Sequence, residues 1–223
     1  MTFRSLMALI AGVVMVASPA VANSKAPIAT PATTLPTVVD TDPTHTPEDV
    51  LLLDLSNGGS VAIRLMPTWA PAHVERIKTL TGQGFYDGLI FHRVIEGFMA
   101  QTGDPTGTGS GGSKLPDLKA EFNAMPHLRG TVSAARTSNP DSGNSQFFIV
   151  FYPRFSLDRK YTVFGRVISG MEVVDRIERG EPPANPTRIL RAHMAAGGAA
   201  PAVAAAAPAE AISVDDLNTS KSD

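Results

Sequence analysis

Between residues 50 and 194 the chain is cut into short apolar stretches by Gly, Pro, Asn and Asp, and this spacing dominates what it can fold into. Val50–Leu55 runs into Asn57-Gly58-Gly59, after which Val61, Ile63 and Leu65 alternate with Ala62 and Arg64. Two apolar runs across an Asn-Gly turn predict a β-hairpin, because both turn positions tolerate positive φ. Further strands are predicted at Ile90–Ile95, Phe98–Thr102, Thr131–Ala135, Gln146–Phe151, Thr162–Val167 and Arg188–His193. Only two windows carry helical spacing. Ala70–Thr81 has Val74, Ile77 and Leu80 on one face with Pro71 in its first turn, and Glu172–Glu178 is closed by Gly180. Many short strands with two helices predict a mainly β domain: a closed or nearly closed antiparallel barrel with helices plugging its ends.

The flanks have a different texture. Arg4 followed by the apolar run Leu6–Ala17, the Ser18-Pro19 break and Ala20-Val21-Ala22 match a cleavable signal peptide over 1–22. The run is too short for a comfortable membrane span, and no Cys follows it for lipid anchoring. Residues 23–49 are dense in Pro, Thr and Ala, with too little apolar surface to offset the ordering entropy, and read as a disordered linker. Residues 195–223 form an Ala/Pro-rich tail in which Pro201 and Pro208 interrupt any helix. The folded unit is therefore expected over 50–194, in a periplasmic or secreted protein with no stable membrane insertion after cleavage.

Several chemistries are excluded or disfavoured. The chain has no Cys, which removes disulfides, thiolate zinc sites and cysteine nucleophiles. Its net charge of -2 with no Lys/Arg block argues against nucleic acid as a partner. Histidines 45, 73, 92, 127 and 193 show no i, i+4 pairing, so no metal is expected. Gly107-Thr108-Gly109-Ser110-Gly111-Gly112 satisfies G-x-G-x-x-G in letters alone: Asp104-Pro105 precedes it and Leu115-Pro116 follows, so no nucleotide cofactor is expected. Ser142 and Ser145 lie outside G-x-S-x-G, and nothing fixes the geometry of a hydrolase pairing either with His92.

Two segments remain. His92 and Arg93 lie inside an otherwise apolar strand pair, and Gln146-Phe147-Phe148-Ile149-Val150 follows the polar stretch Thr137–Ser145. Spacing alone reads such an arginine as a solvated face and the Phe pair as core. Taken with Gly84-Phe85-Tyr86-Asp87-Gly88, Gly97-Phe98-Met99-Ala100-Gln101, Gly103-Asp104-Pro105-Thr106-Gly107-Thr108-Gly109, Glu121-Phe122-Asn123 and Val163-Phe164-Gly165, however, these blocks resemble, in order, the cyclophilin-type peptidyl-prolyl cis-trans isomerases. The resemblance spans essentially all of 50–194 and is nearest to bacterial members. It implies a closed eight-stranded antiparallel barrel capped by two α-helices, no cofactor, and X-Pro peptide bonds of other polypeptides as substrate.

The resemblance also implies roles for individual residues. Arg93 matches the family's catalytic arginine, with Gln101 as the expected neighbour holding it. Phe98, Met99, Phe148 and Leu157 match the apolar wall that receives a proline ring. Ala135 and Arg136 match edge positions whose backbone pairs with the peptide, and Gln146 flanks the same groove. Tyr161 stands where the family has a groove histidine and can still donate a hydrogen bond. Ser156 replaces the tryptophan of many eukaryotic members, which argues against tight binding of cyclosporin. The one tryptophan, Trp69, sits before the first helix and reads as structural. The expected role is folding of exported proteins by a monomer; the alternative is a proline-peptide binding module or holding chaperone with little turnover. Retention of both Arg93 and Gln101 favours the enzyme.

Overall fold

The computed structural model describes residues 46–197. The signal segment 1–22, most of the linker expected at 23–49, and the tail beyond Gly197 lie outside the described residues. At the near end, Pro47–Asp49 forms a 3-10 turn, and Asp49 pairs with Lys78 at 2.6 Å.

Eight strands follow in the predicted order: β1 Val50–Leu55, β2 Gly59–Leu65, β3 Arg93–Ile95, β4 Met99–Thr102, β5 Thr131–Ala134, β6 Phe147–Val150, β7 Val163–Ser169 and β8 Ile189–Met194. Helix α1 (Pro71–Gly82) lies between β2 and β3, and a shorter α2 (Met171–Asp175) between β7 and β8. All neighbouring pairs are antiparallel, in the spatial order β3-β4-β6-β5-β7-β2-β1-β8.

The expected closed barrel is not formed. The sheet curls through 224° as an open half-barrel, with β3 and β8 as unpaired edges. Sequence explains why. β3 has only three residues, and the chain opposite its free edge carries Gly180, Pro182, Pro183 and Pro186. Prolines lack the N–H a ladder needs. Isolated bridges span the seam instead, Ile90 with Arg188 and Val94 with Gly180, and the Phe91 amide donates to Thr187 O at 2.9 Å.

β1 lacks alternation because both its faces are covered. Leu51, Leu53 and Leu55 enter the main core, while Val50 and Leu52 pack with Ala62 and Ala195 on the other side. Val74, Ile77 and Leu80 of α1 and Val173 and Val174 of α2 fill the hollow of the sheet. Tyr86 is fully buried in it, edge-on to Phe147, and donates to Ser145 O at 3.1 Å. At the start of α1, Trp69 packs with Met66 and Val163 outside the main core. The first-turn amides of Ala72 and His73 there, both at 3.0 Å, are satisfied by the carboxylate of Glu121, a negative charge at the positive end of the helix dipole.

The glycine-rich loop after β4 is organised by one buried carboxylate. Asp104 accepts from the amides of Thr106 (2.7 Å), Thr108 (3.0 Å) and Gly109 (2.6 Å) and from the Thr106 hydroxyl. Burial raises its pKa, but these bonds outweigh it and bring the group from 3.8 to about 2.

Two outcomes are expected. Leu53→Ala, at a fully buried position paired with Val61 and Ala192, lowers the unfolding free energy by about 2–5 kcal/mol in urea titrations. Because the folded pKa of Asp104 lies below its unfolded value, its contribution is present above about pH 4 and is lost as pH falls towards 2. Acid titration of stability should lose roughly 2 kcal/mol over that window in the wild type, and this component should disappear in Asp104→Asn.

Candidate active site

The site lies on the sheet face opposite the main core, and strand alternation puts it there. In β6, Phe147 and Ile149 point into the core while Phe148 and Val150 point away. In β4, Ala100 is in the core and Met99 is outside; in β3, Val94 is in the core. Antiparallel partners share a face, and the register pairs Arg93 with Gln101, Gln101 with Phe148, and Met99 with Val150. Arg93, Met99, Gln101 and Phe148 are therefore on one outward surface. Ile95, Phe98, Ala135, Leu157 and Tyr161 complete a second apolar cluster around Met99, Phe148 and Val150.

A hollow of about 240 Å³ opens on this surface, lined by Arg93, Phe98, Met99, Gln101, Ala135, Arg136, Phe148, Leu157 and Tyr161. Nine of the ten expected site residues thus meet in one place. Gln146, the tenth, lines an adjoining polar hollow of about 460 Å³ with Gly109, Gly111, Asn144 and Asp117, and shares Gln101, Ala135 and Arg136 with the first.

Polar contacts fix the walls. Gln101 donates to Gln146 Oε1 at 2.8 Å, and Gln146 donates in turn to the carbonyls of Gly109 (3.0 Å) and Gly111 (2.7 Å). Gln101, expected to hold Arg93, stands opposite it in the register but shows no hydrogen bond to it. The partner of Arg93 is Glu181, with Nε and Oε1 3.5 Å apart and both side chains about half exposed. The Ala135 amide is occupied by Gln146 O at 2.9 Å. Arg136 stacks 4.5 Å from the Tyr161 ring centroid and donates to Lys160 O at 2.9 Å. Arg154 lies 5.2 Å from the ring of Phe98 and donates to Gly97 O at 3.1 Å. Cations over aromatic faces stiffen both sides of the rim.

Behind the pocket is a support that sequence reasoning misses. His127 is fully buried and stacks parallel to Phe148 with centroids 6.3 Å apart. Its Nδ1 meets Asp158 Oδ1 at 2.8 Å and its Nε2 meets the Ser133 hydroxyl at 2.9 Å. Burial lowers the His127 pKa against the pull of Asp158. A carboxylate only accepts, so Nδ1 carries the proton and Nε2 accepts from Ser133. Asp158 adjoins the 3-10 turn Phe155–Leu157 that carries Leu157. His127, Ser133 and Asp158 give no signal in the sequence because their pairing needs the fold; Glu181 escapes notice for the same reason. Among the described residues no cluster of His, Cys, Asp or Glu suited to a metal is present, and no helix is long and apolar enough to cross a membrane.

Comparison with known proteins agrees with this geometry. Residues 51–194 match the family described as cyclophilin type peptidyl-prolyl cis-trans isomerase/CLD. The Brucella suis protein named "Probable peptidyl-prolyl cis-trans isomerase" is 47% identical over 162 residues, covering 66% of this chain and 82% of that protein. A cyclophilin crystal structure from Hirschia baltica superposes with a TM-score of 0.62 at 31% identity, over 67% of this chain and 74% of that one. A Cryptosporidium parvum cyclophilin-type isomerase, crystallised in the presence of the dipeptide Ala-Pro, gives a TM-score of 0.61 at 27% identity, over 65% of this chain and 98% of that one. With its outward Arg93, its apolar pocket and this match across the folded region, the chain belongs to the cyclophilin-type peptidyl-prolyl cis-trans isomerases.

Proposed function

We propose that the 240 Å³ hollow receives the ring of a substrate proline and that Arg93 is the catalytic residue of the isomerisation. The observation that carries this reading is the placement of one guanidinium on the same sheet face as Met99 and Phe148, at the mouth of an apolar pocket. The Ala-Pro dipeptide used with the Cryptosporidium relative supports the ligand class.

Rotation about a peptide bond faces a barrier of about 18–20 kcal/mol, because resonance gives C–N partial double-bond character. X-Pro bonds exchange unaided over tens to hundreds of seconds. Raising roughly 0.01 per second to about 10 per second requires about 4 kcal/mol. As the bond twists, the prolyl nitrogen regains its lone pair and becomes an acceptor. A hydrogen bond from Arg93 to that nitrogen is strong only in the twisted state, which is the differential stabilisation catalysis requires. A charged donor contributes roughly 1.5–3 kcal/mol. Phe98, Met99, Phe148 and Leu157 seat the ring and exclude water, which disfavours the more polar planar amide. The Ala135 carbonyl and Arg136 line the path of the peptide, and Gln101, Gln146 and Tyr161 bound it.

The chain's first residues support a second assignment. Arg4, the apolar run Leu6–Ala17 and Ala20-Val21-Ala22 form a signal for export, so the isomerase works on folding polypeptides in the periplasm or outside the cell.

Arg93→Ala should lose roughly 10- to 150-fold in kcat/KM in an NMR-exchange assay on an Ala-Pro peptide, with peptide affinity changed far less. Turnover equal to wild type would remove Arg93 from the mechanism. Mass spectrometry of the exported protein should find Asn23 as the first residue; an intact N-terminus in the cytoplasmic fraction would refute export.

A further inference from the structure

The strap that bridges the open seam also touches the reaction centre from behind. Val94 exchanges two backbone hydrogen bonds with Gly180, of 2.8 and 2.9 Å. On either side of that pair, opposite charges face each other across the seam: Arg93 with Glu181 at 3.5 Å, and Glu96 with Arg179 at 2.7 Å. Little in the strap is free to move. Gly180 has a φ of 145°, and a Cβ there would lie 2.5 Å from the Pro183 Cα. Arg179 donates to Asp175 O at 2.8 Å and to Ile177 O, and lies 4.4 Å from the Phe151 ring centroid. Pro182 and Pro183 follow Glu181 directly and fix φ at both positions. The carboxylate is thus offered to Arg93 from a stiff support.

Arg93 needs such a support. Its side chain is 42% exposed, and a long side chain in water samples many rotamers. Among the described residues Glu181 is the one ion-pair partner of its side chain, and no side-chain hydrogen bond joins Arg93 to Gln101. A guanidinium is planar with five donors, so a carboxylate 3.5 Å from Nε biases its orientation by charge while both terminal NH2 groups stay available. We infer that Glu181 is a positioning residue for Arg93, orienting the guanidinium towards the prolyl nitrogen from the far side of the seam. This inference rests on the assignment of Arg93 as the catalytic residue.

Glu181→Gln keeps the shape and removes the charge. Turnover of an Ala-Pro peptide by NMR exchange should show kcat reduced roughly two- to fivefold, the range of a partly exposed ion pair, with KM within about twofold. Glu181→Asp should recover part of the loss. The Arg93 Nε–H resonance should broaden and exchange faster with water in Glu181→Gln. Glu96→Gln, which breaks the neighbouring ion pair on the same strap, should leave kcat unchanged. In an Arg93→Ala background Glu181→Gln should have no effect on kcat. An equal loss in both backgrounds, an unchanged kcat, a raised kcat, or the same loss from Glu96→Gln overturns the inference. Wild-type turnover in Arg93→Ala itself would instead overturn the assignment on which it rests.

Discussion

The alternation of β4 and β6 and the register that joins them hold the rest of this molecule together. Phe147 faces the main core, where Tyr86 and Phe164 pack edge-on against it, and Phe148 faces the outer pocket one residue later. A slip of one residue would exchange the two faces, putting Gln101 into the core and Ala100 at the pocket. The pairing is therefore pinned by the cost of burying an amide on one side and losing a wall on the other. The site inherits its geometry from hydrogen bonds the fold requires anyway.

The open seam has a functional counterpart. A closed ladder between β3 and β8 would have stiffened the sheet by backbone pairing alone. Here the seam is crossed by single bridges and by a proline-rich strap carrying alternating charges, Arg179 and Glu181, against Glu96 and Arg93. Side chains thus do at the seam what backbone does elsewhere in the sheet. This places a carboxylate beside Arg93, whose side chain has no other ion-pair partner among the described residues.

Much of this architecture is legible in the amino-acid sequence. The Asn-Gly turn and the alternation of Val61, Ile63 and Leu65 locate the first hairpin, and the spacing of Val74, Ile77 and Leu80 locates α1. Elements with a local period announce themselves in composition. Closure of the sheet does not: the eight stretches are readable, but whether the first and last edges meet depends on how three residues of β3 confront Gly180 and its prolines. The pocket is readable through a family pattern, not through spacing, which alone leaves Arg93 on an ordinary solvated face and Phe148 in the core. Contacts between distant segments stay invisible. Gln101, expected to hold Arg93, reaches Gln146 across the sheet instead, and His127 finds Ser133 and Asp158 through the fold alone.

Trp69, the chain's one tryptophan, is buried with Met66 and Val163 in a cluster separate from both the main core and the pocket wall. Its indole is consequently the one tryptophan emitter, and its emission reports the packing at the start of α1. A ligand entering the pocket meets Phe98, Phe148 and Tyr161 instead. The molecule therefore contains an optical reporter of its folded state in a cluster distinct from the one around the pocket.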